Sequence, residues 1–241
     1  MKKTALIIGA SSDIASACSK LLAKKGFNLI LTYRDRDNFQ INNIEQKEKL
    51  NIESVFFDIE DINHFDIFIK DLNVTPDIIL FAIGLLNLND ELDPRKKLEK
   101  LINVNFVYPA IFINKLTTRL KNTSKKVKLV ALTSVAGDRG RAKNYVYGSA
   151  KAGLTTFLSG LRQKLSNTNI SIMTVKLGFV KTKMTENLEM PDFLSSNPEE
   201  IANLIFEAYQ KDKNIIYSKY WRLIMVIVRI IPERIFKRLR F

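Results

Sequence analysis

Short, unbroken apolar runs recur along this chain, separated by mixed stretches of helical character. Ala5-Leu6-Ile7-Ile8 is the first, closed by Gly9. A helix is predicted from about Asp13 to Lys25, ended by Gly26, and Phe27 to Thr32 reads as the next strand. Ile52 to Phe57, Asp77 to Ala82 (entered through Pro76), Val127 to Leu132 and Ser171 to Val175 give further strands. Between the last two a helix of about Tyr147 to Ser166 is expected. A strand wet on one face alternates apolar and polar residues, whereas a run apolar throughout is covered on both faces. Such runs joined by helices predict an α/β fold, a Rossmann-type doubly wound parallel sheet. Asn197-Pro198-Glu199-Glu200 reads as a helix start, with proline in the first turn and acids facing the dipole. Asn214 to Tyr217 is expected as a short strand at the far edge. No repeat or linker breaks the pattern, so residues 1–218 read as a single domain and residues 219–241 as a tail.

Composition narrows the chemistry. Apolar residues make up 46% of the 241, enough for a sizeable core. The single Cys18 and single His64 exclude an internal disulfide, a zinc-ligand set and Ser-His or Cys-His catalysis. Cys18 sits among small residues and reads as a buried helix position, His64 as a surface residue. Met1-Lys2-Lys3-Thr4 leads directly into the first strand, with no leader, so a cytoplasmic origin is expected. No run of about 18 uncharged apolar residues offers a membrane span.

The net charge of +13 points to a polyanionic partner, and it is unevenly spread. Lys219 to Phe241 carries seven Lys or Arg against one acid, Glu233. Leu223 to Val228 is apolar throughout, and Pro232 is expected to split the segment into two short helices. Cations around an apolar stripe describe an interfacial helix on an anionic membrane surface, which would place the protein peripherally on the inner face of the cell membrane. The competing reading packs the tail on the domain or on a partner subunit. No nucleic-acid recognition motif accompanies the charge, so nucleic acid is not expected as a partner.

Candidate chemistry centres on Tyr147-Gly148-Ser149-Ala150-Lys151, with Ser134 thirteen residues before the tyrosine. A Tyr and a Lys four apart share one helix side. The ammonium is then expected to favour phenolate, bringing a phenol that titrates near ~10 towards neutral pH. The hydroxyl of Ser134 would hold the substrate oxygen. Gly9-Ala10-Ser11-Ser12-Asp13-Ile14 joins the first strand to the first helix, where a dinucleotide pyrophosphate docks on free N–H groups. Asp13 should disfavour phosphate there unless it turns inward to cap the helix. At the end of the second strand an acid would bind the 2′-hydroxyl of NADH and an Arg the 2′-phosphate of NADPH. Arg34 stands beside Asp35, so the choice between NADH and NADPH stays open.

These features together resemble the short-chain dehydrogenase/reductase family over nearly the whole chain. The family's glycine pattern keeps only Gly9, with Asp13 and Ala15 at the other glycine positions. The resemblance implies catalytic roles for Asn105, Ser134, Tyr147 and Lys151. Asn105 would mark a helix kink whose backbone holds a water against Lys151. Tyr147 would protonate the developing alkoxide, and Lys151 would also bind the nicotinamide ribose. Tyr145 is a decoy, wrongly spaced from both Ser134 and Lys151. Cofactor contacts are implied at Gly9, Ser11, Ser12, Asp13, Ile14, Arg34, Asp58, Ile59, Ala82, Gly84, Gly178, Val180 and Thr182, besides Tyr147 and Lys151. Asp58 would meet the adenine amine, while Val180 and Thr182 would hold the carboxamide.

Within the family, the glycine turn, Phe81 to Leu86, Tyr145 to Leu154 and the basic tail are similar to the decaprenylphosphoryl-2-keto-ribose reductase subgroup. That subgroup also has an acid in place of the middle glycine. This implies reduction of a lipid-linked 2-keto sugar on a polyprenyl phosphate, giving an arabinofuranose-type donor for cell-envelope polysaccharide. It also implies a flavin-dependent oxidase as a partner, and the wider family a homo-oligomer. Lys183 to Asn197, with Met184, Leu188, Met190 and Phe193, is expected as an apolar lid. The alternatives are a reductase of a soluble ketone such as a 3-oxoacyl group, and a non-catalytic nucleotide-sensing scaffold.

Overall fold

A computed structural model describes residues 2–35, 44, 50–86, 93–186, 188–189 and 191–239. Strand β1 (Thr4–Ile8) leads into helix α1 (Asp13–Lys24), then β2 (Asn28–Tyr33) and β3 (Ile52–Phe56). Helix α2 (Phe65–Lys70) and β4 (Ile78–Phe81) follow. Next come α3 (Pro94–Ile102), a π-helical turn (Asn103–Val107) and α4 (Tyr108–Leu120). Strand β5 (Val127–Ser134), α5 (Tyr145–Lys164) and β6 (Ile170–Leu177) complete the central unit. Beyond it lie β7 (Phe179–Val180), β8 (Ser195–Ser196), α6 (Pro198–Gln210) and β9 (Ile215–Tyr217). The tail forms α7 (Trp221–Ile230) and α8 (Glu233–Phe236).

The main sheet runs β3-β2-β1-β4-β5-β6-β9, and every neighbouring pair is parallel. Side chains alternate across it with period two. Thus Ala5 and Ile7 of β1 enter one core with α1 and α6, while Leu6 and Ile8 enter the other with α2, α4 and α5. This is the doubly wound arrangement the apolar runs predict, with β9 as the expected edge.

Two differences have physical causes. Strands β5 and β6 run past their apolar stretches to Ser134 and Leu177, which are register partners. Ladder pairing carries Thr133 and Ser134 along although neither is apolar. Strands expected to be apolar also bury lysines: Lys128 pairs with Asp212 and Lys176 with Asp138. A lysine stem lies along apolar surface while its ammonium reaches a partner, so a buried strand tolerates it. Cys18 is buried as expected, and burial pushes its thiol up to about 12. His64 is half-buried rather than exposed.

Candidate active site

Chain order reverses between β1 and β4, and the carboxyl ends of the strands on either side of that switch form a crevice. Gly9 closes β1 with φ 84°, and a Cβ on it would lie 2.9 Å from Ile83 Cγ1. The turn is therefore pressed against the segment after β4. The buried Thr32 pins it from the other side, its Oγ1 accepting the Gly9 N–H at 2.9 Å. Nothing in the local sequence marks Thr32 for this task.

One wall of the crevice is the corner between β5 and α5. The chain turns after Ser134 through a 3-10 turn, Val135–Gly137, and packs backbone to backbone on α5. A Cβ on Gly137 would come within 2.7 Å of the Ala152 nitrogen, and one on Gly148 within 2.7 Å of the Ala136 oxygen. Only glycines permit this approach, which brings Ser134 to Tyr147, close enough for the serine hydroxyl to pull on the phenol. Ser134 Oγ also accepts the Ala136 N–H at 3.1 Å and donates to the Leu177 carbonyl at 3.3 Å. One turn along α5, Lys151 is 3% exposed, with its Nζ 5.7 Å from the Tyr147 ring centroid. Tyr145, at the first position of α5, points into solvent.

The expected electrostatics of this corner need correction. Burial pushes the Tyr147 phenol up to about 12, against the downward pull of the Ser134 hydroxyl. Burial likewise pushes the Lys151 ammonium down to about 8. Desolvation disfavours the charged form of each group. At neutral pH the corner therefore holds a protonated phenol, not a phenolate.

The π-helical turn carries Asn105, fully buried. Its amide donates to the Leu85 and Leu101 carbonyls at 2.6 and 3.0 Å, and its Oδ1 accepts the Leu85 N–H at 3.0 Å. The wide turn frees the Leu101 carbonyl region for this contact, tying the helix to the loop after β4. A Cβ on Gly84 would lie 3.2 Å from Lys151 Nζ and 3.4 Å from Asn105 Oδ1. Gly84, Asn105 and Lys151 are thus brought together, with Ala82 just behind them in the strand-end backbone.

The nucleotide half is less regular. Ser12 caps α1, its side chain accepting the Ala15 N–H at 3.2 Å. Asp13, the first helical residue, neither caps nor faces the free N–H groups. Its Oδ2 accepts the Lys183 N–H at 2.8 Å, stapling the glycine turn to the segment after β7. A cleft of about 650 Å³ opens beside this staple, lined by Asp13, Lys20, Thr182, Lys183 and Thr185 among others. It abuts the turn and does not include Ser134, Tyr147 or Lys151. Arg34 lies 3.4 Å from Glu60, which Lys100 also approaches at 3.3 Å. Asp58 accepts the Glu60 N–H at 2.9 Å, while the Ile59 and Val180 side chains enter the core. Ser11 is exposed and Ile14 packs against the α1–α6 core. Thr182 and Thr185 cap one another's backbone. The α1 N-terminus, the tight Gly9 turn and the switch-point crevice fit a dinucleotide.

A sequence profile of the short chain dehydrogenases matches residues 3–192. The chain belongs to the short-chain dehydrogenase/reductase family. An uncharacterized oxidoreductase of Mycobacterium tuberculosis is 34% identical over 140 residues, covering 58% of this chain and 55% of the relative. The match thus spans just over half the length of that relative. Another from Bacillus subtilis is 28% identical over 211 residues, 85% of this chain and 84% of the relative. Among solved structures, a Burkholderia cenocepacia short-chain dehydrogenase in complex with NADP superposes with a TM-score of 0.83 at 14% identity, covering 99% of this chain and 97% of the other. One from Sphingobium yanoikuyae in complex with NADPH gives 0.78 at 17% identity, covering 99% and 96%. At such identities the superpositions speak for the fold.

In this short-chain dehydrogenase the tail meets the site. Trp221 is buried, donating its indole N–H to the Leu194 carbonyl at 3.0 Å. Its ring fills the space a Cβ on Gly178 would need, at 1.9 Å from Nε1. The indole demands a glycine at 178 for its own packing, and the Gly178 N–H donates to Ser218 Oγ at 2.8 Å. Arg139, in the loop after β5, donates to the carbonyls of Val228 and Ile231, each at 2.6 Å, and to Glu233 at 2.9 Å. It also lies 3.7 Å from the Phe236 ring centroid. A single arginine so closes the C-terminal end of α7, a role no motif announces. Opposite these anchors Leu223, Val226, Ile227 and Ile230 form a ridge 58% to 74% exposed. Of the expected lid residues Met184, Leu188 and Phe193 are exposed, and Met190 lies outside the described residues.

Proposed function

We propose that this protein is an NAD(P)H-dependent reductase of a 2-keto sugar carried on a polyprenyl phosphate, working at an anionic membrane surface. The observation that supports the chemistry is the corner that brings Ser134 and Tyr147 together with the buried Lys151. The nicotinamide, when bound, supplies a hydride to the ketone carbon. Ser134 and Tyr147 hold the ketone oxygen between two hydroxyls. As the carbon gains the hydride, the oxygen takes the Tyr147 proton, leaving a secondary alcohol. A phenol kept protonated by burial is in the form this step requires. Lys151, charged below about 8, lowers the cost of the phenolate that remains and binds the nicotinamide ribose. Asn105 fixes the backbone of the loop against which Lys151 packs. The nucleotide contacts are the residues around Gly9, Ser12 and the β4 end, with Arg34 available to a 2′-phosphate.

The membrane part of the reading rests on the ridge of α7. Four apolar side chains face water beside Arg222, Arg229, Arg234, Lys237 and Arg238. No helix among the described residues is long and apolar enough to cross a bilayer, so an interfacial pose is the one this tail suits. A lipid-borne ketone gives that pose a purpose, confining enzyme and substrate to one surface. A second copy of the chain and a flavin-dependent oxidase supplying the ketone are the partners this activity calls for. The test is oxidation of NADPH and NADH with a polyprenylphosphoryl 2-keto-pentose in neutral detergent. Turnover by the native protein and its loss in Tyr147→Phe support the reading. Turnover of soluble 3-oxoacyl ketones alone would replace it, and coenzyme binding without any turnover would favour a scaffold.

A further inference from the structure

Among the described residues, one ion pair has both side chains shut away from water: Lys176 with Asp138, 10% and 4% exposed. The other buried strand lysine, Lys128, reaches a carboxylate that stands in solvent, Asp212 at 81% exposed. Asp138 Oδ2 also accepts the Tyr217 hydroxyl at 3.1 Å, and Lys176 Nζ lies 5.3 Å from the Tyr217 ring centroid. Lys176 is on β6, Tyr217 is its register partner on β9, and Asp138 directly follows the 3-10 turn after Ser134. Desolvating two charges offsets much of their attraction, so apolar residues of similar volume would hold a core as well. What the pair adds is direction, because a carboxylate bonded through both oxygens fixes where its loop can lie.

The geometry so fixed is that of Ser134. The β5–β6 ladder ends at the register pair Ser134 and Leu177. Ser134 Oγ accepts the Ala136 N–H at 3.1 Å and donates to the Leu177 carbonyl at 3.3 Å. The ion pair brackets both of these partners, with Asp138 two residues beyond Ala136 and Lys176 one before Leu177. The Asp138 N–H closes the turn between them, donating to the Val135 carbonyl at 3.0 Å. A serine hydroxyl has one proton to donate. To hold a ketone oxygen Ser134 must turn that proton away from the Leu177 carbonyl, and its own tie to β6 is then broken. The bond from Asp138 to Lys176 still joins the loop to that strand.

We infer that Asp138 is a positioning residue for Ser134, keeping its hydroxyl at the substrate oxygen once the Leu177 bond is released. The inference rests on the reductase reading of the corner. The enclosed carboxylate meets neither ketone nor coenzyme itself and acts through the turn Val135–Gly137.

Kinetics of the full chain in neutral detergent, with NADPH and a polyprenylphosphoryl 2-keto-pentose, test this. Asp138→Ala combined with Lys176→Met removes the pair without stranding a buried charge. This pair variant is expected to lose at least about tenfold in kcat, with NADPH affinity by fluorescence titration within about twofold of native. Ser134→Ala is expected to lower kcat about 10²-fold, and in that background the pair variant should lose less than about threefold more. A general loosening of the site would instead multiply the two losses. Such multiplication, or a native kcat in the pair variant, would overturn the inference. Tyr217→Phe frees one carboxylate oxygen and keeps the ion pair, so it serves the same cycle should the pair variant not fold. Its expected loss is about fivefold, absent in the Ser134→Ala background, and a loss that persists there overturns the inference equally.

Hydrogen exchange reads the loop without any substrate. The amides at positions 136 and 138 should exchange at least about tenfold faster in the pair variant, relative to those of β4. If the native protein does not reduce this ketone, the lipid reading fails and exchange decides the positioning alone, unchanged protection at both amides overturning it.

Discussion

In α5 one cation lies inside: Lys151 is buried beside Ala150, Leu154 and Leu158. In α7 the cations Arg222 and Arg229 lie in water, and so do Leu223, Val226, Ile227 and Ile230. Both helices combine apolar residues with basic ones, and the deciding difference is what each packs against. Helix α5 is clamped through Gly137 and Gly148 to the backbone after β5, so its lysine has no route to solvent and its pKa moves. Helix α7 is held by Trp221, Met225 and the Arg139 bonds, leaving its far face uncovered. An apolar stripe thus acquires its role from its partner surface, and a stripe without one is a surface in waiting.

The sharpest way to break this comparison is at the corner. Tyr147→Phe keeps the ring and removes the proton, and should lower kcat by about 10²–10⁴-fold with little change in coenzyme affinity, read by NADPH oxidation and fluorescence titration. Retention of rate within a few-fold would mean that the corner is structural. At the tail, Trp221→Ala empties the space against Gly178 and should cost about 3–5 kcal/mol by urea denaturation. A cost below about 1 kcal/mol would show that α7 is not docked.

Buried charge predicts a pH signature that the tail cannot give. Lys151 in the folded protein titrates at about 8 against an ordinary 10.5, so between those values the unfolded chain binds more protons. Stability therefore rises with pH across that window. Tyr147, raised from 10.0 to about 12, acts oppositely: its contribution is complete below about 10 and is lost as pH climbs to 12. Lys151→Met should accordingly stabilise the protein most at pH 7, with the gain shrinking by pH 10. A gain independent of pH would place the ammonium in water. The smallest expected effect is that of Arg139→Gln, which removes the bonds closing α7 and should cost about 1–3 kcal/mol. Its signature is faster hydrogen exchange confined to residues 221–239.

Much of this was legible from residue order. Apolar runs gave the strands, because a parallel sheet needs both faces of each strand to be apolar. The spacing of Ser134, Tyr147 and Lys151 marked the corner, because helix periodicity converts a four-residue step into one face. Long-range pairing escaped. Thr32 on the glycine turn, Asp13 on the Lys183 N–H, Trp221 on Gly178 and Arg139 on the α7 carbonyls all join segments far apart in sequence. No local period encodes them. The Tyr147 electrostatics were misjudged for a related reason: spacing reveals the neighbouring charge but not the depth of burial, and burial is the larger influence.

The central claim, a reductase docked on the membrane that carries its substrate, is tested most directly by surface kinetics. Turnover of a polyprenylphosphoryl 2-keto-pentose would be measured in vesicles of rising anionic-lipid content, for the native chain and for the triple variant Leu223→Gln, Ile227→Gln and Ile230→Gln. These exposed positions should change stability by no more than about 0.5 kcal/mol each. The account predicts a native rate that climbs with anionic lipid and falls with added salt, and a variant rate at least about tenfold lower in vesicles but equal in detergent. Equal rates for both proteins in vesicles at every composition would contradict it.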